Sequence, residues 1–554
     1  MMNNIFSSPL FKLDHLSGFV VLAIGLFSIL TLIYSFRFIK KQYFQYYTYI
    51  ILTALASVGA VLANNLILLL VFWGFLGLTL YLLINMGQVH ADAAAKKTFI
   101  IVGGSDALML LGIGIIYYLT GTFQMDKINI NLGSGLLAII AYLSIAIACF
   151  AKAGAMPFHS WIPDCAESAP VPVVAYLPAS LDKLLGIYLL SRISLDLFVL
   201  NPAMNMLLMI VGAFTILAAV MMALVQHNMK RLLGYHAVSQ VGYMVLGIGT
   251  GNPIGIAGGI FHMLNNSIYK QALFLASGNV EYKIGTTDLD KLGGLSKVMP
   301  FTYISTLIAS LSISGVPPFN GFVSKWMVYQ GLITQLQGMG YGLRITSTLC
   351  LLAAMFGSGL TLASFMKLIH ATFLGQQIDN QKIKQSGEVP WTMWFPCVIL
   401  AGICVIFGLF ANQIPLKYFI LPAVAGVTFI GTWYAGLATL LVIIGLVLGL
   451  LVFRLKGLHL SLRQDSAFVG GELEDLQETR VTGTEFYNTV KELGLLRSIY
   501  KRAEAGFFDI YEQGKKFIFS ISRPLQYLHN GILPTYMVWS LLGMIGLFYI
   551  ILFR

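Results

Sequence analysis

Two lysines sit where charge is expensive. Lys152 lies in the apolar run AYLSIAIACFAKAGAMPF and Lys183 in PVVAYLPASLDKLLGIYLL, with Gly154 and Pro157 between them. A lysine at the middle of a membrane-spanning helix costs about 2.5–3.5 kcal/mol, so it faces a bundle interior or a water-filled path. Pro157 lacks a backbone donor and clashes with the preceding turn, which frees carbonyls that need other partners. Further on, His262, Asn266 and Lys270 recur at i, i+4 and i+8 in FHMLNNSIYKQALFL and share one helix face. His236, Gln240 and Tyr243 form a shorter polar stripe before it. A second interrupted apolar run, SGVPPFNGFVSKW, carries Gly315, Pro317 and Pro318 with Lys325 behind them, and Lys367 shares a face with Ser364. Lys367 is placed near a helix end, from which it can reach the surface.

A row of amines and imidazoles suits proton uptake and release. Burial disfavours a charged amine and a nearby carboxylate favours it, so the row also needs counter-charges. Asp106, in GGSDALMLLGIG, and Asp182 are the candidates. Asp182 is adjacent to Lys183 and therefore about 100° away around a helix, a poor direct partner for it, which favours Asp106. Plainer readings exist: Lys152 snorkelling from a helix end, Lys183 and Lys270 in structural buried pairs, and His262 as a satisfied core histidine. The matched lysine at the second break and the face shared with Lys270 weigh against them.

Helices must position these groups. Of 554 residues, 57% are hydrophobic and 10% charged, the signature of an all-α polytopic membrane protein. Apolar spans fall near 16–36, 44–63, 66–86, 98–119, 135–157, 172–192, 204–225, 233–250, 253–277, 300–337, 344–371, 392–412, 434–453 and 534–552, about 14 in all. The first is expected to be a retained span rather than a signal peptide. The recurrence of Gly154-Ala-Met-Pro157-Phe158 as Gly315-Val-Pro317-Pro318-Phe319 suggests two inverted five-helix repeats, each with a broken helix. The chain then divides into an N-terminal helix (1–43), a first half-channel (44–192), a second (204–371), additional membrane helices (392–453), a cytoplasmic-side amphipathic segment (454–533) and a C-terminal anchoring helix (534–554). Within the amphipathic segment, Phe486, Val490, Leu493, Leu496, Tyr500, Ala503, Phe507 and Ile510 recur every three or four residues, a helix of about 30 residues lying on the membrane surface or on partner subunits.

The net charge of +11 is a topology signal here, not a nucleic-acid one. Arg37, Lys40, Lys41, Lys96, Lys97, Lys230, Arg231, Lys283, Lys291, Lys297, Lys382 and Lys384 fall in alternate loops, which places both termini outside. The five cysteines form no CxxC or Cys/His cluster, so no metal site and no redox cofactor is expected in this chain.

AKAGAMPFHSWIPDCAESAPVPV, HNMKRLLGYHAVSQVGYM, FHMLNNSIYKQALFLASG and SGVPPFNGFVSKW resemble the core of the antiporter-like membrane subunits shared by respiratory complex I, Mrp-type cation/proton antiporters and membrane-bound group 4 hydrogenases. The resemblance covers about residues 10–375. It implies a hydrated proton axis through Lys152, Lys183, His262 with Lys270, and Lys325. Three positions depart from the family pattern: Gly74 follows Trp73 where a glutamate is usual, Asn266 stands where many relatives carry a second histidine, and FKLDHLSGF resembles the start of the family's third helix. The tail is similar to the lateral helix and anchoring span of the distal complex I subunit, with wording like that of group 4 hydrogenase relatives.

The resulting expectation is a non-redox, proton-translocating subunit of a redox-driven ion pump, of the energy-converting hydrogenase or NADH:quinone oxidoreductase type, in the inner or plasma membrane. Redox cofactors would reside in partner subunits, both membrane and peripheral. Two alternatives are a transport-inactive structural subunit, for which Gly74 is the main support, and a Mrp-type Na+/H+ antiporter subunit.

Overall fold

The computed structural model describes residues 9–87, 90–336, 340–375, 387–431, 433–457, 484 and 488–553. Lys382, Lys384 and Phe486 lie outside the described residues. The chain forms two compact units, Met1–Glu492 and Leu493–Arg554.

The first unit is built from α1 (His15–Phe38), α2 (Tyr43–Leu62), α3 (Leu66–Ile84), α4 (Ala91–Thr120), α5 (Leu136–Ala153), α6 (Trp161–Ser168), α7 (Val171–Tyr176), α8 (Asp182–Arg192), α9 (Pro202–Leu224), α10 (Met229–Gly249), α11 (Pro253–Ile284), α12 (Pro300–Ser314), α13 (Asn320–Leu336), α14 (Tyr341–Ile369), α15 (Trp391–Leu409), α16 (Ala435–Gly457) and the short α17 (Asn488–Glu492). Asparagines start several of them: Asn65 accepts from the amides of Ile67 and Leu68, Asn228 from Lys230 and Arg231, and Asn252 from Gly255, with Pro253 at the first helical position.

Eleven helices among the described residues are long and apolar enough to cross a membrane. The remaining three expected spans are helical too, but α10 and α11 carry too many polar groups and α12–α13 is one span broken in two. The polarity of α10 and α11 is tolerated because both are buried along nearly their whole length. α11 is buried from Ile254 to Val280, packed on α1, α7, α8, α10, α12, α13 and α15. It has the longest buried run among the described helices of the first unit.

Both breaks have the same local form. α5 ends at Gly154 (φ 80°) and α12 at Gly315 (φ 80°), a left-handed conformation that side chains with a Cβ resist. A proline follows in each case, in cis at Met156-Pro157 and Pro317-Pro318, before α6 and α13 resume. Between α7 and α8 a π-turn, Leu177–Leu181, absorbs Pro178 without ending the span.

The second unit contains α18 (Gly494–Glu504), α19 (Ile510–Leu528) and α20 (Leu533–Phe553). The expected amphipathic helix of about 30 residues is therefore divided. Gly506 (φ 73°) turns the chain after α18, and Asp509 caps α19 by accepting from the Tyr511 amide. Phe507 lies in this turn, against Phe508 and Arg502, rather than on a continuous stripe. α20 exposes its apolar side chains, as a membrane anchor does.

Candidate functional site

The freed carbonyls of each break are taken by a lysine. Lys183, from α8, donates to the Ala153 carbonyl oxygen at 2.9 Å, and Lys325, from α13, donates to that of Ile313 at 2.9 Å. Trp161 Nε1 donates to Ala151 O at 3.0 Å, and the Met156 amide donates to Thr215 Oγ1 at 3.3 Å, completing the first break. Each site also has an aromatic floor. Lys152 Nζ stands 4.5 Å from the ring centre of Trp73 on α3, and Lys325 Nζ stands 4.5 Å from that of Tyr243 on α10, a cation–π distance in both.

Lys152 is fully buried in the last turn of α5 and does not snorkel to the interface. Its Nζ makes no hydrogen bond among the described residues. The carboxylates acting on it are Asp182 first and Asp106 second. Asp106, on α4, thus points into the bundle, beside Trp73 and over Gly77, where an added Cβ would lie 3.7 Å from Asp106 Oδ2. Gly74 is on the exposed side of α3. The expectation that Asp182 makes a poor direct partner for Lys183 describes the hydrogen bonding, since Lys183 turns to Ala153. It understates the electrostatics: Asp182 is buried and acts on Lys152 and Lys183 together.

On α11, His262, Asn266 and Lys270 are all fully buried. His262 Nδ1 is 2.9 Å from Ser324 Oγ, and its Nε2 is 3.1 Å from Gln240 Oε1 and 3.3 Å from Tyr269 OH. Lys270 Nζ donates to the Leu233 carbonyl oxygen at 2.8 Å. Neither end of the Asn266 amide has a partner among the described residues. At the second break Lys325 also donates to Ser358 Oγ at 3.2 Å, and Ser358 lies 2.8 Å from Tyr243 OH and 2.7 Å from Tyr329 OH. Asn265 and Asn320 pair at 3.0 Å in both directions, and Asn320 is bonded to Ser312, which ties α11 to the break.

Lys367 does not escape to the surface. It is buried, with its ammonium on the carbonyls of Leu224 (2.6 Å) and Gln226 (2.9 Å) at the end of α9. A helix C-terminus presents such carbonyls with partial negative charge, which suits a cation. Ser324, Ser358, Tyr329, Asn265 and Asn320 belong to the site without having been singled out in the sequence, and Trp73 was named only as the neighbour of Gly74. Among the described residues no group of His, Cys, Asp or Glu is placed to hold a metal ion.

A polytopic helical bundle with two broken helices and lysines buried at both breaks has the architecture of an antiporter-like membrane protein. The family described as "NADH:quinone oxidoreductase/Mrp antiporter, TM" matches residues 63–375, and the chain belongs to it. It is a multi-pass protein of the plasma membrane. Its relatives include a Na(+)/H(+) antiporter subunit of Alkalihalophilus pseudofirmus, 30% identical over 88% of this chain and 65% of that protein. The counterpart of the same name in Bacillus subtilis is 32% identical over 69% of this chain and 50% of that protein. The chain thus spans between half and two thirds of these relatives' length. Among solved structures, a chain of the membrane-bound sulfane sulfur reductase, an archaeal respiratory membrane complex, superposes with a TM-score of 0.77 at 22% identity, covering 99% of this chain and 90% of that one. A chain of the Mrp complex from Dietzia sp. DQ12-45-1b gives 0.67 at 23% identity, with 74% and 84% covered. A chain of respiratory complex I from Thermus thermophilus gives 0.65 at 21%, again with 74% and 84% covered. These three share the fold.

Proposed function

We propose that this chain translocates protons as one membrane subunit of a multisubunit redox-driven pump. The observation that carries the reading is the pair of matched sites in which a buried ammonium occupies carbonyls freed by a helix break, at Lys183 and at Lys325. Such a carbonyl holds the charged form of the amine at a defined point, from which the proton can pass when the surroundings change. Lys152 is the responsive member, held by a ring face and two carboxylates rather than by a hydrogen bond. Lys183 and Lys270 lie close enough for their charges to interact, so a proton on one bears on the other. His262 continues the row toward Lys325, which acts on it in turn.

Likeness of fold to a chain of a sulfane sulfur reductase over 99% of this chain, the Leu493–Arg554 unit included, supports placement in a respiratory assembly whose redox cofactors are carried by other subunits. The energy-converting hydrogenase and NADH:quinone oxidoreductase types both remain within this proposal. A second reading, Na+/H+ exchange within a Mrp-type assembly, is favoured by the relatives named as Na(+)/H(+) antiporter subunits. Sealed vesicles holding the intact complex separate the two. Proton movement that follows electron donor and ignores sodium supports the first; movement that needs a sodium gradient and no donor supports the second.

A further inference from the structure

The row of lysines leaves one chain of titratable groups unused. His227 lies in the turn between α9 and α10, and its Nδ1 is 2.7 Å from Asp290 Oδ2, with both side chains partly exposed. The turn is fixed to the connection between α11 and α12: Met229 N donates to Thr287 O at 2.9 Å and Leu289 N to His227 O at 2.8 Å. Asp290 also accepts from Thr484. One residue before His227 is Gln226, whose carbonyl receives the ammonium of buried Lys367, and the Asp290 charge acts on that ammonium. One helical turn before Lys367 on α14 is Ser364, 2.7 Å from Nε2 of the buried His236. His236 feels Lys270, Lys367 and Lys325. Phe365 lies between His236 and Lys270, its ring centre 4.7 Å from the imidazole centroid and 5.7 Å from Lys270 Nζ.

We infer that His227 and Asp290 form a surface port for protons, feeding Lys367, Ser364 and His236 and so reaching Lys270 without passing the first half of the bundle. The port rests on the proton-translocating reading above. It opens on the face where Lys40 stands over Tyr282, Lys97 meets Asp164, and Lys230 meets Glu281. That is the face assigned to the cytoplasm by the distribution of basic residues. An imidazole offers one nitrogen that donates and one that accepts, and a carboxylate beside it draws positive charge in from bulk, which is what an exposed port requires. The other charges around it are already matched: Lys291 pairs with Asp288 at 3.1 Å and Lys230 with Glu281 at 3.1 Å. His227 and Asp290 differ from these pairs in bordering the turn whose Gln226 carbonyl holds Lys367. Lys97, Asp164 and Glu167 of the first half are tied into ion pairs, two of them to Arg231 of α10.

The test uses the whole complex in sealed vesicles with the cytoplasmic face outward and a pH dye inside. His227→Ala is expected to slow proton uptake at least about threefold at mildly alkaline pH and less at mildly acidic pH, with imidazole in the outer buffer restoring the rate. Asp290→Asn should slow it in the same sense, and Lys367→Met should remove the rescue by imidazole, because the next carrier is gone. Wild-type rates in all three variants at every pH would overturn the port. So would a loss in His227→Ala that is equal at every pH and unmoved by imidazole, which is the mark of a damaged turn. With Lys325→Ala measured alongside, failure of the two readings can be told apart. A wild-type complex that moves no protons overturns the functional reading and the port with it. Normal pumping by wild type and His227→Ala, with loss in Lys325→Ala, overturns the port alone.

Discussion

Lys152 differs from the other buried lysines in what holds it. Lys183, Lys270, Lys325 and Lys367 each donate to at least one backbone carbonyl, whereas Lys152 depends on the Trp73 ring and on Asp182 and Asp106. Its charge state therefore answers most directly to those carboxylates. Asp106→Asn keeps the shape and removes the charge, so it is expected to lower translocation in dye-loaded vesicles about as much as Lys152→Ala; normal pumping would remove Asp106 from the pathway. Gly74 faces outward, but Gly77 one turn along the helix faces Asp106. Gly77→Asp adds a carboxylate near the one lost, and should restore part of the rate in the Asp106→Asn background. Ser358 gives a finer test. Its hydroxyl joins Lys325, Tyr243 and Tyr329, so Ser358→Ala should slow translocation by a few-fold while leaving assembly on native gels intact, and Ser358→Thr should retain more activity because the hydroxyl remains.

At the scale of elements, the long apolar runs and the two glycine–proline breaks were legible because helix span and chain interruption are local properties. The helix face joining His262, Asn266 and Lys270 was legible for the same reason. What fills each break was not, since Ala153 meets Lys183 from 30 residues away and Lys367 meets Leu224 from 143 away. The division between α18 and α19 was missed because hydrophobic periodicity continued through Gly506, whose positive φ ends the helix. Close helix approach was equally hidden. Gly408 on α15 lies so near the second break that an added Cβ would run into the Pro318 carbonyl oxygen and the Phe319 backbone. Neither can yield without moving the break, so Gly408→Ala should destabilise the fold by about 1–3 kcal/mol in thermal unfolding. Gly402→Ala on the same helix meets nothing within 4 Å and should behave as wild type. Equal behaviour of the two variants would show that α15 does not support the break.

At the scale of the whole molecule, the second unit carries an amphipathic helix with an exposed apolar face. α19 exposes Phe517, Ile518, Ile521 and Leu525 on one side, with Lys515, Lys516 and Arg523 at the intervening positions. Burial of such a side chain is worth about 1.5–3 kcal/mol, and a carboxylate there adds a desolvation cost. Ile521→Asp is thus expected to shed neighbouring subunits on native gels while the chain itself still inserts; an unaltered complex would mean that this face rests on lipid. The central claim is that the lysines at the two breaks carry protons, and it is tested most directly by pumping in reconstituted vesicles of the intact complex, driven by electron donor and followed with an internal pH dye. Lys183→Ala and Lys325→Ala are predicted to leave the complex assembled and to cut the initial rate by about tenfold or more. Undiminished acidification by both variants would contradict the account.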